Sequence, residues 1–162
     1  MQVVVADTGP INYLVLIDAI DLLPRLFDRV LAPQAVFDEL NDPDTPAPVR
    51  DWIRRPSEWF SVDLRSTPNI DKADIGLDIG ERAAISLALA IRADLVLMDD
   101  QAGVAFARRN GLVATGTLGV LDLAARQGLI DLAEAFERLK TTSFYYRKGL
   151  LDGLLAKHKK RR

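Results

Sequence analysis

A chain of 162 residues, with 49% hydrophobic and 27% charged residues, is long enough to bury one core without covalent staples. It has no cysteine and one histidine, His158, which removes disulfides, thiolate chemistry and cysteine-rich zinc sites and argues against histidine-based metal sites or a Ser-His-Asp triad. A formal net charge of −2 gives no bulk attraction for nucleic acid, so polar chemistry falls to carboxylates, whose oxygens select hard cations such as Mg2+ or Mn2+.

The run Val3-Val4-Val5 is too short for a helix and has no polar face, so it predicts a buried strand. Asp7 follows it, and Pro10 suits the first turn of a helix reaching Ile17, with Asp7 or Thr8 as its cap. Asp21 reads as the cap of a second helix bearing Leu22, Leu23, Leu26 and Phe27. Arg29 to Ala32 is a short strand ended by Pro33, and Gln34 to Leu40 a helix with Glu39 near its end. Asn41 to Pro48, with three prolines, is a loop. A helix over Val49 to Arg54 and an edge strand over Trp59 to Leu64 follow; Arg65 to Leu77 has no period and reads as a loop.

The alanine- and leucine-rich stretch from Gly80 to Ala90 is the strongest helix. Asp94 to Met98 is a buried strand that Asp99-Asp100 ends. Gln101 to Arg109 is a helix closed by Asn110-Gly111. Leu112 to Ala114 is a strand, and helices follow over Leu118 to Gln127, from the Asp131 cap to Leu139, and over Arg147 to Lys157. The alternation predicts a single domain over 1–162: a three-layer α/β/α sandwich with a mainly parallel central sheet. The basic tail at about 157–162 reads as a solvated, frayed terminus, or as a contact for RNA or a partner. No secretory signal opens the chain, and the longest apolar-rich run, Ala83 to Met98, contains Arg92 and Asp94. Both features predict a cytoplasmic protein with no membrane span.

Two acidic positions end strands, Asp7 and the Asp99-Asp100 pair, and Glu39 and Glu81 sit on flanking helices. Parallel strands carry their carboxyl ends to one edge of the sheet, where ligands bind. If the two strands are neighbours, Asp7 and Asp99 meet there. Crowded anions are costly unless a cation neutralises them, and such a centre suits phosphodiester hydrolysis. Each acid alone has an ordinary explanation. Asp7 fits a helix cap, Glu39 an exposed helical position, Glu81 the positive end of a helix, and Asp99-Asp100 a turn and a cap. Only their joint placement points to chemistry.

Six stretches together resemble the PIN-domain family, in its prokaryotic branch akin to VapC-type toxins. They are Val-Val-Ala-Asp-Thr-Gly-Pro-Ile-Asn-Tyr-Leu at 4–14, Leu-Leu-Pro-Arg-Leu-Phe at 22–27, Ala-Pro-Gln-Ala-Val-Phe-Asp-Glu-Leu at 32–40, Gly-Glu-Arg-Ala-Ala-Ile-Ser-Leu-Ala at 80–88, Val-Leu-Met-Asp-Asp at 96–100 and Ala-Thr-Gly-Thr-Leu-Gly-Val-Leu at 114–121. No single stretch is specific; their order and spacing are. The resemblance implies a Mg2+- or Mn2+-dependent endoribonuclease, the toxin of a toxin–antitoxin pair, with RNA as substrate, an antitoxin protein as partner and a homodimeric state. Carried over by position, the catalytic acids are Asp7, Glu39, Glu81 and Asp99. Asp7, Glu81, Asp99 and Asp100 are the candidate metal ligands, with Asp99 or Asp100 as the fourth acid and Thr8 in support. Two positions depart from the pattern: Glu81 stands where many relatives have aspartate, and Val104 where they often have arginine.

The rival expectations are a catalytically inactive module of the same fold that binds RNA or protein, and a phosphotransferase with Asp7 as nucleophile. The second lacks an aspartate two residues on, since position 9 is glycine. A nucleotide-binding role is weaker still, because no glycine-rich phosphate loop follows a strand.

Overall fold

The computed structural model describes residues 2–64 and 76–161, so most of the aperiodic 65–77 stretch lies outside the described residues. The first half of the chain forms β1 (Val3–Ala6), α1 (Thr8–Leu16), α2 (Leu22–Leu26), β2 (Arg29–Pro33), α3 (Gln34–Leu40), α4 (Ala47–Arg54) and β3 (Phe60–Asp63). The second forms α5 (Ile79–Ile91), β4 (Leu95–Leu97), α6 (Gln101–Arg109), β5 (Ala114–Thr115), α7 (Thr117–Arg126), α8 (Leu132–Lys140) and α9 (Leu150–Lys160). This is the order of strands and helices that the periodicities predict.

The strands form one sheet in the order β3-β2-β1-β4-β5, and every pairing is parallel. Residues alternate between its faces. Val4, Ala6, Val30, Ala32 and Leu97 enter one core with α1, α2, α4, α7 and α8, to which α9 adds Leu151. Val5, Leu31, Val96, Met98 and Ala114 enter the other with α5 and α6. Ala84 and Ala88 are fully buried there; their small side chains let α5 lie close to the sheet. Each buried Val or Leu stabilises the fold by about 1.5–3 kcal/mol, and β1, apolar on both faces, takes the centre. β3 is an edge strand, as expected, and its end of the sheet is covered by Trp52, Trp59 and Phe60 in mutual contact.

From β1 the chain moves outward through β2 to β3, then crosses back to place β4 on the other side of β1. The strand order therefore reverses between β1 and β4, which opens a crevice at their carboxyl ends.

The structure differs from expectation at several ends. Asp7 and Asp21 occupy the positions before α1 and α2, but neither side chain caps its helix; Asp21 is itself helical, with ψ −2°, unlike the extended backbone of an N-cap. β5 is Ala114–Thr115 rather than 112–114. The last helix starts at Leu150, because Gly149 before it adopts φ 84°. As far as Arg161 the basic tail is helical rather than frayed: α9 continues to Lys160, and Arg161 Nη1 lies 3.3 Å from Asp122 Oδ1 on α7. Among the described residues, no helix is long and apolar enough to cross a membrane.

Candidate active site

The site grows from the register of two strands. Ala6 pairs with Leu97, and the Asp7 N–H donates to the Leu97 carbonyl at 2.9 Å. Asp7 therefore lies beside Met98, and Asp99 is one residue further on. Side chains alternate, so Asp7 follows Val5 toward α5, while Asp99 follows Leu97 toward α7. The two aspartates share an edge but not a face.

On the α5 side Asp7 meets three other acids. A Cβ on Gly80 would lie 2.9 Å from Glu39 Oε2, 3.5 Å from Asp7 Oδ1 and 3.5 Å from Asp78 Oδ1. Three carboxylates from three elements thus close on one glycine, which leaves them the room. The Thr8 hydroxyl donates to Glu39 Oε2 at 2.9 Å, so it holds the second acid in place. Glu81 follows in the first turn of α5, where Asp78 and Glu81 form a reciprocal cap. Asp78 Oδ1 accepts from the Glu81 N–H at 2.7 Å, and Glu81 Oε2 accepts from the Asp78 N–H at 3.3 Å. Asp78 is the residue that sequence reasoning missed. Its signal is Asp78-x-x-Glu81, a capping-box spacing that lies just ahead of the helix expected from Gly80.

Asp7 is only 7% exposed, and its Oδ1 finds no hydrogen-bond partner among the described residues. Burial, with the charges of Asp78, Glu81 and Glu39, pushes its carboxyl up to about 8, while the Thr8 backbone N–H acts in the opposite direction. Glu81 is pushed up to about 7 by burial and by the charges of Asp78 and Asp100. Its Oε2 would lie 3.7 Å from a Cβ on Gly103, in the first turn of α6. Asp100 caps α6, its Oδ2 accepting from the Gly103 N–H at 2.9 Å. The acids thus run from Glu39 through Asp7, Asp78 and Glu81 to Asp100.

Asp99 is tied to the start of α7. Its Oδ1 accepts from the Thr117 N–H at 2.7 Å, and its Oδ2 from the Thr117 hydroxyl at 2.8 Å. Burial pushes its carboxyl up, and these two hydrogen bonds pull it back. A Cβ on Gly9 would lie 3.0 Å from Asp99 Oδ2, and one on Gly116 would overlap Asp99 Oδ1. Two glycines therefore make the slot that admits this carboxylate at the start of α1 and α7.

No group of three or more His, Cys, Asp or Glu side chains among the described residues is placed so that it could hold a metal ion. The chemistry of the donors nonetheless suits a hard divalent cation. They are oxygens, they are crowded enough to raise one another's proton affinity, and one buried oxygen has no partner.

Comparison with known proteins agrees with this architecture. A PilT N-terminus domain protein from the hyperthermophilic archaeon Sulfolobus solfataricus P2 has a similar fold, with a TM-score of 0.51 at 13% identity, over 91% of this chain and 100% of that one. No curated protein matches the sequence. The family model for the PIN domain, a nuclease fold, matches residues 3–160. With a match of that extent, this chain belongs to the PIN-domain family.

Proposed function

We propose that this protein is a divalent-metal-dependent endoribonuclease, the toxin of a toxin–antitoxin pair, and that its reaction runs at the carboxyl edge of β1 and β4. The observation that carries the reading is Asp7, a buried carboxylate close to Asp78, Glu81 and Glu39 with one oxygen that no described residue partners. Asp7, Glu81, Asp99 and Asp100 would hold the ion. A bound Mg2+ or Mn2+ would supply charge neutralisation at the phosphodiester and a more acidic water. Thr8 fixes Glu39, which would serve as the general base. Thr117 fixes Asp99, and the Asp78 cap fixes the backbone that carries Glu81. An antitoxin protein would silence the enzyme by covering this edge, and the active state would be a homodimer in the cytoplasm.

The test is cleavage of a fluorogenic RNA by wild type and Asp7→Asn, with Mn2+ or with EDTA. Wild type should cleave only with the metal, and Asp7→Asn should lose at least about a hundredfold in rate while melting as a folded protein. Full activity in Asp7→Asn, or in EDTA, overturns the assignment. A second reading, a metal-free binding module, is favoured by one observation: among the described residues no three acidic side chains are placed so that they could hold an ion. Calorimetry separates the two: no heat with millimolar Mn2+ would select the module.

A further inference from the structure

Beside Asp99 and Asp100 a groove of about 830 Å³ opens between α6, the start of α7 and the residues joining α8 to α9. One wall of it is the run Phe144-Tyr145-Tyr146-Arg147. That run is pinned from below. Phe144 packs edge-on against Tyr13, with ring centroids 5.0 Å apart, and its N–H donates to Thr142 Oγ1 at 3.1 Å. Next to it, Ser143 Oγ lies 3.2 Å from the Tyr13 hydroxyl.

The anchored backbone holds Tyr145 outward at 85% exposure. An aromatic ring left in water on fixed backbone contributes nothing to the core, and tyrosine is the kind of flat amphipathic surface that recognition uses. Across the groove, Arg108 donates from Nη2 to the Ala114 carbonyl at 3.2 Å, which orients its guanidinium. Neither Arg108 nor Arg147 forms an ion pair with a described residue. The groove therefore offers one exposed aromatic face and two cations that no described residue pairs, and it ends at the strand-end acids.

An aromatic platform beside cations that follow a phosphate backbone is the chemistry of unpaired nucleic acid. A duplex keeps its bases stacked inside and has none to place on the ring. We infer that this groove is a subsite for one unpaired nucleotide next to the phosphodiester to be cut, its base stacked on Tyr145 and its phosphates held by Arg108 and Arg147. The identity of the strand rests on the nuclease reading above, but the subsite can be tested without cleavage.

The probe is a fluorescently labelled single-stranded oligouridylate of twelve nucleotides, titrated with full-length protein in EDTA and followed by anisotropy. Tyr145→Ala should weaken binding about tenfold, and Tyr145→Phe should stay within about twofold because the ring face remains. Arg147→Ala should weaken binding and reduce the slope of log K against log salt by about 0.7. A blunt duplex of the same length should be insensitive to Tyr145→Ala. No binding by wild type, or wild-type affinity in both Tyr145→Ala and Arg147→Ala, overturns the subsite. If Tyr145→Ala leaves RNA affinity unchanged but shifts the sedimentation coefficient, the wall is a protein interface and the inference fails. Failure of the nuclease reading looks different: the variants keep the stated order of RNA affinity, which supports the subsite, yet wild type cuts nothing in Mn2+.

Discussion

Asp7 carries the tension of this site. An ionised carboxylate at 7% exposure, with one oxygen that no described residue partners, is costly, and the chain tolerates it either by binding a proton or by binding a cation. The acids around it are crowded because Gly80 has no side chain. Gly80→Ala would place a methyl 2.9 Å from Glu39 Oε2, closer than a carbon and oxygen sit without one of them moving. Alanine is the better helix former, by up to about 1 kcal/mol, so the melting temperature should hold or rise slightly. Cleavage of a fluorogenic RNA should nonetheless fall by roughly tenfold, since a small misplacement of a reacting group is expensive. Unchanged cleavage by Gly80→Ala would show that the position of Glu39 does not matter.

The helix start at α5 joins stability to chemistry. Asp78 caps the helix and, through the same carboxylate, raises the proton affinity of Asp7 and Glu81. The two roles separate by substitution. Asp78→Ala removes the cap and should cost about 1 kcal/mol in chemical denaturation. Asp78→Asn keeps an accepting oxygen and should cost less, while both variants lower the pH at which Mn2+ binds, read by calorimetry across pH 6 to 8. At the other end of the chain, Leu151 is 2% exposed and joins α9 to the core. Leu151→Ala should destabilise by about 2–4 kcal/mol, measured by urea unfolding. A loss below about 0.5 kcal/mol would mean that the basic helix is only loosely docked. The caps were partly readable from sequence. Asp131 accepts from the Glu134 N–H as expected, because the signal lies within four residues. Asp21 does not cap α2, because the turn bonds from the Leu22 N–H to the Ala19 carbonyl and from the Leu23 N–H to the Ile20 carbonyl carry a helical turn through it.

Across the molecule, the raised carboxyls of Asp7 and Glu81 make stability depend on pH. In the unfolded chain these groups titrate near 3.8 and 4.5, and in the native state at about 8 and 7. The folded protein therefore binds more protons between these limits, and the stability they contribute is complete at acid pH and lost as pH rises through 7 and 8. EDTA-treated protein should melt lower at pH 8.5 than at pH 6. Excess Mn2+ should raise the melting temperature more at pH 8.5, where protons no longer compete for the oxygens. Asp7→Asn should shrink the pH-dependent drop by about half or more. A flat melting profile from pH 6 to 8.5 in EDTA would remove the case for strained carboxylates at this edge.

Most of the architecture was legible because its causes are local. Val3-Val4-Val5 reads as a strand, Gly80 to Ala90 as a helix, and their alternation as a parallel sheet between helices, since side-chain periodicity acts within a few residues. The same reading placed Asp7, Glu39, Glu81 and the Asp99-Asp100 pair at one end of the molecule. What only the assembled sheet decided was the pairing of Ala6 with Leu97. Had the register slipped by one residue, Asp7 and Asp99 would face the same way; as it stands they face α5 and α7. The choice of register falls to how two helical layers pack against strands some ninety residues apart.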